Sequence, residues 1–286
     1  MMRKPAPWLL LSIALLAAAG GWRWHALHTA AGSGILINGG DGGGLPRAEA
    51  SQEGFDEHAL RAAWTYADAQ GARALLVMRH GHLVLEQYAR GADADTLVGG
   101  SELDHALLML AAGVAVERYA MTMTAGERCD EACLMQAITA ASRQDYPAFL
   151  SHQVWRPLNA APARWLAPGV RARSSDWLRV AGVLLHDGRF EGTQVVPAGW
   201  VARLGATRPA SGAEPFAAGE VLLLRGADAT LLWLAPRLDL AMLCVAGAPP
   251  PGAVVDETRL PRMIMRSLRD LPATGGAGLN DLVPGH

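Results

Sequence analysis

Apolar positions along the chain recur with two periods. From Phe55 the spacing is helical: Asp56 can cap a helix whose apolar positions Leu60, Ala63 and Trp64 repeat up to about Asp68. Two strand-like runs follow, ARALLVMRH and HLVLEQYAR, separated by the turn-forming His80-Gly81, so a hairpin is predicted. After GADADTLVGG, Ser101 opens a long apolar helix that ends near Tyr119. Further helices are predicted from about Glu131 to Ala141, from Tyr146 to Trp155, from Ser175-Asp176 to a glycine stop, and from Pro197. The C-terminal third reads as strands in EVLLLR, TLLWLAP and LAMLCVAG, with a last helix from about Thr258 to Leu268. Strands at both ends with helices between them predict an α+β fold, an antiparallel β-sheet that the two halves close together and that helices flank.

The start of the chain is different. Arg3 and Lys4 precede an uncharged stretch from Pro5 to Trp22, followed by Trp22-Arg23-Trp24. Eighteen residues at about 1.5 Å each reach roughly 27 Å, the lower limit of a bilayer span. Positive charge before the stretch places the N-terminus in the cytoplasm and the remainder in the periplasm. Residues 1–27 are therefore an uncleaved inner-membrane anchor with Trp22 and Trp24 at the interface, or a signal peptide cleaved after Ala17-Ala18-Ala19. Residues 28–54, with GGDGGG at Gly39 to Gly44, read as a Gly-rich linker, residues 55–270 as the folded domain and residues 271–286 as a flexible tail.

Composition narrows the chemistry. The 25 basic side chains are 24 arginines and one lysine, Lys4, so the folded part has none. Lysine is the cation that burial deprotonates readily, and arginine is not. Phosphate loops ending in Gly-Lys-Ser/Thr, Schiff-base enzymes and lysine-activated serine nucleophiles are thereby excluded. A net charge of −2 and no basic stripe give nucleic acid nothing to bind. Three cysteines are too few for a disulfide scaffold. Cys129 and Cys133 are four apart, which on a helix gives a shared face and poor disulfide geometry. No cofactor is indicated.

Three stretches carry a resemblance: ARALLVMRHGHLVLEQYARGADADTLVGGS, then VWRPLNAAPARW with SSDWLRVAGVLLHDGRFEGTQVVPAGWV, then LLWLAPRLDLAMLCV. In order, from Phe55 to about Asp270, they resemble serine hydrolases related to class C β-lactamases and 6-aminohexanoate-dimer hydrolases. The resemblance implies a β-lactamase/transpeptidase-like fold, here with a reduced helical subdomain. It also implies a serine nucleophile in Ser-x-x-Lys, a tyrosine in Tyr-x-Asn or Tyr-x-Ser, and Lys-Thr-Gly or His-x-Gly on an edge strand.

This chain departs from all three. The first tetrapeptide is Ser101-Glu102-Leu103-Asp104, with Asp104 at the lysine position. No tyrosine stands in the expected place: Tyr66 and Tyr88 precede the serine, Tyr119 ends its helix, and Tyr146 sits where a packing aromatic is expected. On the edge strand stand Gly226-Ala227-Asp228-Ala229, with Arg225 nearby, so Arg225 and Asp228 are the candidate binding residues there.

Ser101 also has a purely structural reading. Ser-x-x-Asp before an apolar helix is close to a capping box, in which the hydroxyl accepts from the third backbone N–H and the acid reaches back. The alternative is a new site of Ser101 as nucleophile, His105 as base one turn on, and Asp104 or Asp228 as the orienting acid. His80 and His82 could face one side as a metal pair, but no third ligand is evident and a solvated turn explains them. His186 closes a helix, where its charge meets the negative end of the dipole. The arginines of VWRPL and RARSSDW read as helix-surface charges, and Trp155, Trp165 and Trp200 as packing.

The leading expectation is a membrane-anchored or exported pseudoenzyme of this fold with a binding or structural role. The alternatives are a working serine hydrolase of small amides or esters, and an envelope interaction module exposing an apolar patch. Expected partners are the membrane, a small amide or ester ligand, or an envelope protein.

Overall fold

The computed structural model describes residues 34–122, 129–206, 222–227, 230–247 and 258–270. The anchor or signal segment, the tail and Asp228 lie outside these residues. No helix among them is long and apolar enough to cross a membrane.

The elements in chain order are β1 (Ile35–Ile37), α1 (Glu57–Ala69), β2 (Ala72–Arg79), β3 (His82–Tyr88), β4 (Leu97–Val98), α2 (Glu102–Tyr119), α3 (Glu131–Ser142) and α4 (Tyr146–Leu150). The chain then widens into a π-turn over Ser151–Trp155. It continues through β5 (Ala163–Leu166), β6 (Gly169–Arg173), α5 (Ser174–Leu185), β7 (Arg189–Phe190), β8 (Thr193–Gln194), α6 (Trp200–Ala206), β9 (Leu222–Arg225), β10 (Leu231–Ala235), β11 (Leu240–Ala246) and α7 (Arg259–Arg266).

The main sheet has five antiparallel strands in the order β3-β2-β11-β10-β9. The N-terminal hairpin thus pairs with the C-terminal strands, as the pattern at the two chain ends predicts. Both faces are covered, which is why β2 and β11 read as continuous apolar runs. Alternate side chains sort to opposite sides: Leu75, Val77 and Met242 join the core under α1 and α7, whereas Leu76, Met78 and Leu243 join the core that holds α2 and α5. Helix α2 is buried on nearly every side through Leu103, Leu107, Leu110, Ala111 and Val114, as a central helix must be. Asp56 caps α1, its Oδ1 accepting from Ala59 N at 3.0 Å.

Four expectations are corrected. The Gly-rich stretch after Leu36 is not a linker. Ile37 and Leu45 are buried in the main core, and Gly40 N donates to Ala160 O at 2.9 Å. A Cβ at Gly39 would lie 2.0 Å from the Ala160 oxygen, so that glycine is required by close packing. The buried Arg179 guanidinium holds the same stretch by donating to Gly43 O.

RARSSDW does not lie wholly on a helix. Arg171 and Arg173 stand on β6, whose hairpin with β5 belongs to a second sheet of order β1-β5-β6-β4. The predicted helix from Pro197 begins only at Trp200.

Cys129 and Cys133 are joined, with their Cα atoms 5.3 Å apart. Cys129 precedes α3, so the shared-face helical geometry assumed for the pair does not apply.

The hairpin turn is anchored by Arg79. Its guanidinium is buried and donates to Leu238 O, Glu53 O and both carboxylate oxygens of Asp270, the last two at 2.9 Å. His80 Nδ1 lies 2.7 Å from Glu53 Oε2, so the turn histidines serve this anchor. Among the described residues no group of three or more His, Cys, Asp or Glu is arranged to hold a metal ion. Replacing Arg79 by Met should lower unfolding stability by about 3 kcal/mol, because the two carbonyls and Asp270 lose their donor. Urea denaturation followed by circular dichroism measures this.

Candidate active site

Strand β4 leads into a Gly99-Gly100-Ser101 corner that aims α2 between β9 and the β5–β6 hairpin. Trp177 Nε1 donates to Val98 O at 2.8 Å, and Ala227 N donates to Gly99 O at 3.2 Å, so the corner is held from both sides. Ser101 follows with φ 55° and ψ −128°, a sparsely populated backbone conformation for a non-glycine residue.

The capping-box expectation fails here. The exposed Ser101 hydroxyl makes no cap hydrogen bond. The acids of the tetrapeptide do different work. Glu102 Oε2 accepts from Arg225 N at 2.7 Å, tying the helix to the edge strand β9. Asp104 Oδ1 accepts from Val170 N at 2.8 Å, tying it to β6. A Cβ at Gly169 would lie 2.3 Å from Asp104 Oδ2, so the turn closes directly on the carboxyl.

Asp104 is thus packed, half-buried, in a corner with Tyr146, Trp165, Pro168 and Val170, around a cavity of about 10 Å³. That is room for about one water molecule. Burial pushes its pKa up from 3.8 to about 6, against the Val170 hydrogen bond and the positive charge of Arg171. Tyr146 is buried and packs edge-on against Trp165 with ring centroids 5.3 Å apart. Its hydroxyl is held well above its ordinary pKa by burial, and then by the charges of Asp104 and Glu131.

His105 faces another way. Its Nδ1 lies 3.0 Å from Glu131 Oε1, in the first turn of α3. Glu131 sits inside the loop closed by Cys129 and Cys133, and Asp130 Oδ1 caps the same turn by accepting from Cys133 N at 2.8 Å. Ser101, Asp104 and His105 are therefore neighbours in sequence, but they do not form one hydrogen-bonded set. Arg225 does reach the site, through its backbone N–H. Residues that the sequence did not single out are Glu131 and Val170, and Arg171 reads there only as a helix-surface charge. A Cβ at Gly100 would lie 2.8 Å from Arg171 Nη1, so this cation stands over the corner before Ser101. The Pro168-Gly169 dipeptide was the available signal for a turn, and a turn there converts VRAR from a helix approach into a strand. The apolar patch expected of an interaction module is not seen around α2–α4: among the described residues the exposed large apolar side chains are Ile35 and Leu36.

No family model matches the sequence, and no curated protein matches it. Solved structures do. "Putative 6-aminohexanoate-dimer hydrolase from Bacillus anthracis" superposes with a TM-score of 0.57 at 12% identity, over 79% of this chain and 90% of that one. A family VIII carboxylesterase gives 0.53 at 11% identity, over 79% and 99%. A β-lactamase from Mycobacterium bovis gives 0.50 at 15% identity, over 67% and 92%. The chain has the β-lactamase/transpeptidase fold of these serine hydrolases.

The raised pKa of Asp104 fixes the sign of a pH effect. Because the folded state disfavours the ionised carboxyl, stability falls as pH rises from about 4 through about 6. Asp104→Asn keeps an acceptor for Val170 N–H and removes that loss. It should match the wild type near pH 3.5 and exceed it at pH 7 by on the order of 1–3 kcal/mol, measured by thermal unfolding across the pH range.

Proposed function

We propose that this chain is an exported, membrane-anchored protein of the β-lactamase/transpeptidase fold in which the hydrolytic machinery has been dismantled and a binding or structural role retained. The observation that carries this reading is the arrangement of the Ser101-Glu102-Leu103-Asp104 tetrapeptide. Its two acids hold the amides of Arg225 and Val170, and the cavity beside Asp104 is only about 10 Å³. In the resembling hydrolases a lysine stands one turn after the nucleophile to help take its proton. Here a carboxyl stands there, in a chain whose one lysine is Lys4. A negative group beside the serine opposes the anion that acyl transfer develops. Losing several members of a catalytic set leaves little of its rate. Export and anchoring rest on Arg3-Lys4, the Pro5–Trp22 stretch and the Trp22 and Trp24 flank.

A specific geometry favours a second reading, a serine hydrolase acting on small amides or esters. Ser101 is exposed and held in a strained backbone, and His105 binds Glu131 through Nδ1, leaving Nε2 available as a base. In that reading Glu131, and not Asp104, orients the histidine.

One experiment separates the two. The full-length protein in detergent is exposed to a fluorophosphonate probe and to a fluorescent penicillin, beside Ser101→Ala. The dismantled-site reading predicts labelling no stronger in the wild type than in the variant. Stoichiometric labelling that Ser101→Ala abolishes would overturn it in favour of the hydrolase.

A further inference from the structure

Strand β3 lies at the outer edge of the five-stranded sheet, on the opposite side of the fold from β9 and the α2 corner. The chain covers part of that edge itself. Leu83 N donates to Pro46 O at 2.7 Å and Ala48 N donates to Leu83 O at 3.4 Å, so residues 46–48 lie beside β3 as a short parallel strand. Past Ala48 the segment leaves the edge and crosses to α1. A groove of about 440 Å³ opens between the segment, α1 and β3.

The ladder register tells which backbone groups face this opening. Leu83, opposite Met78, points its N–H and C=O outward, as its bonds to residues 46–48 require. After the bulge at Val77/Met78, Glu86 opposite Leu76 and Tyr88 opposite Ala74 fall in the same outward class. Ala89 N donates to Arg73 O at 2.8 Å, which fixes the alternation from the other end. Among the described residues nothing pairs with the outward backbone groups of Glu86 and Tyr88.

The groove has an apolar floor and a charged rim. Ala50, Leu60 and Leu85 form the floor. On the rim Arg47 pairs with Glu86, and Arg61 pairs with Glu57 at 3.8 Å. Glu49 is exposed, and among the described residues its carboxylate has no partner, which leaves the rim with one uncompensated negative charge.

We infer that this edge is a docking site for an extended peptide segment that carries a basic residue beside an aliphatic one. The peptide backbone adds to β3 at Glu86 and Tyr88, continuing the strand that residues 46–48 begin. Its aliphatic side chain seats over Leu60 and Leu85, and its basic one meets Glu49. A second copy of this chain fits less well. The free edge spans only Glu86 to Tyr88, which offers two copies few backbone hydrogen bonds.

The test uses the full-length protein in detergent and a synthetic peptide of alternating valine and lysine with blocked ends. Amide hydrogen exchange is followed at Glu86 and Tyr88, and affinity by fluorescence anisotropy. The expected result is slowed exchange at both amides on saturation. Glu49→Lys, an exposed change with no contact to lose, should weaken binding about tenfold, and a valine–glutamate peptide should bind at least as poorly. Unchanged exchange at both amides, or equal affinity for the two peptides, would overturn the inference. So would protection of these amides that appears with rising protein concentration and no peptide, because the edge would then belong to a dimer.

Discussion

The hydrogen bond from the amide of Val170 to the carboxyl of Asp104 fixes the N-terminus of α2 against β6. The bond crosses from the central helix to the β5–β6 hairpin, and Glu102 makes the matching bond to β9 on the other side. Between these two points the helix start is fixed in direction. Ser101 then has to bridge from the glycine corner with a positive φ. The arrangement costs desolvation of Asp104, visible as its raised pKa, and the burial of Leu103, Leu107 and Leu110 along the same helix offsets it.

Much of the fold was legible. The β2–β3 hairpin, the Asp56 cap, helices α1, α2, α3 and α5, and the three C-terminal strands all follow from periodicity and turn residues. Those segments bury large faces, so their patterns are strong. The second sheet was not legible. Strands β5 and β6 are short and rich in Ala and Arg, with little β-branched content, and what makes them strands is pairing with each other and with β1 and β4. Gly39 to Gly44 looks like flexible linker because composition alone cannot show that its glycines are needed for close approach to Ala160.

The site was legible in part. Sequence found the corner, since Ser101 opens the helix, and it found that the lysine position holds Asp104. It gave Ser101 a cap that the hydroxyl does not make, and it grouped Asp104 with His105 by spacing. Spacing on a helix cannot say which way each side chain finds its partner: Asp104 turns to a strand amide, and His105 turns to Glu131 from a helix 26 residues on. The pairing of Cys129 with Cys133, judged as if both lay on α3, depends on where that helix begins.

Asp104 is therefore a structural carboxyl, partly desolvated where it holds the Val170 amide, and not a freely solvated member of a working site. Titration of its side-chain carboxyl carbon by NMR in the full-length protein, assigned with Asp104→Asn, tests this directly. The account predicts a midpoint near 6. A midpoint at the ordinary 3.8 would contradict it, because the carboxyl would then stand in water and the site beside Ser101 would be open.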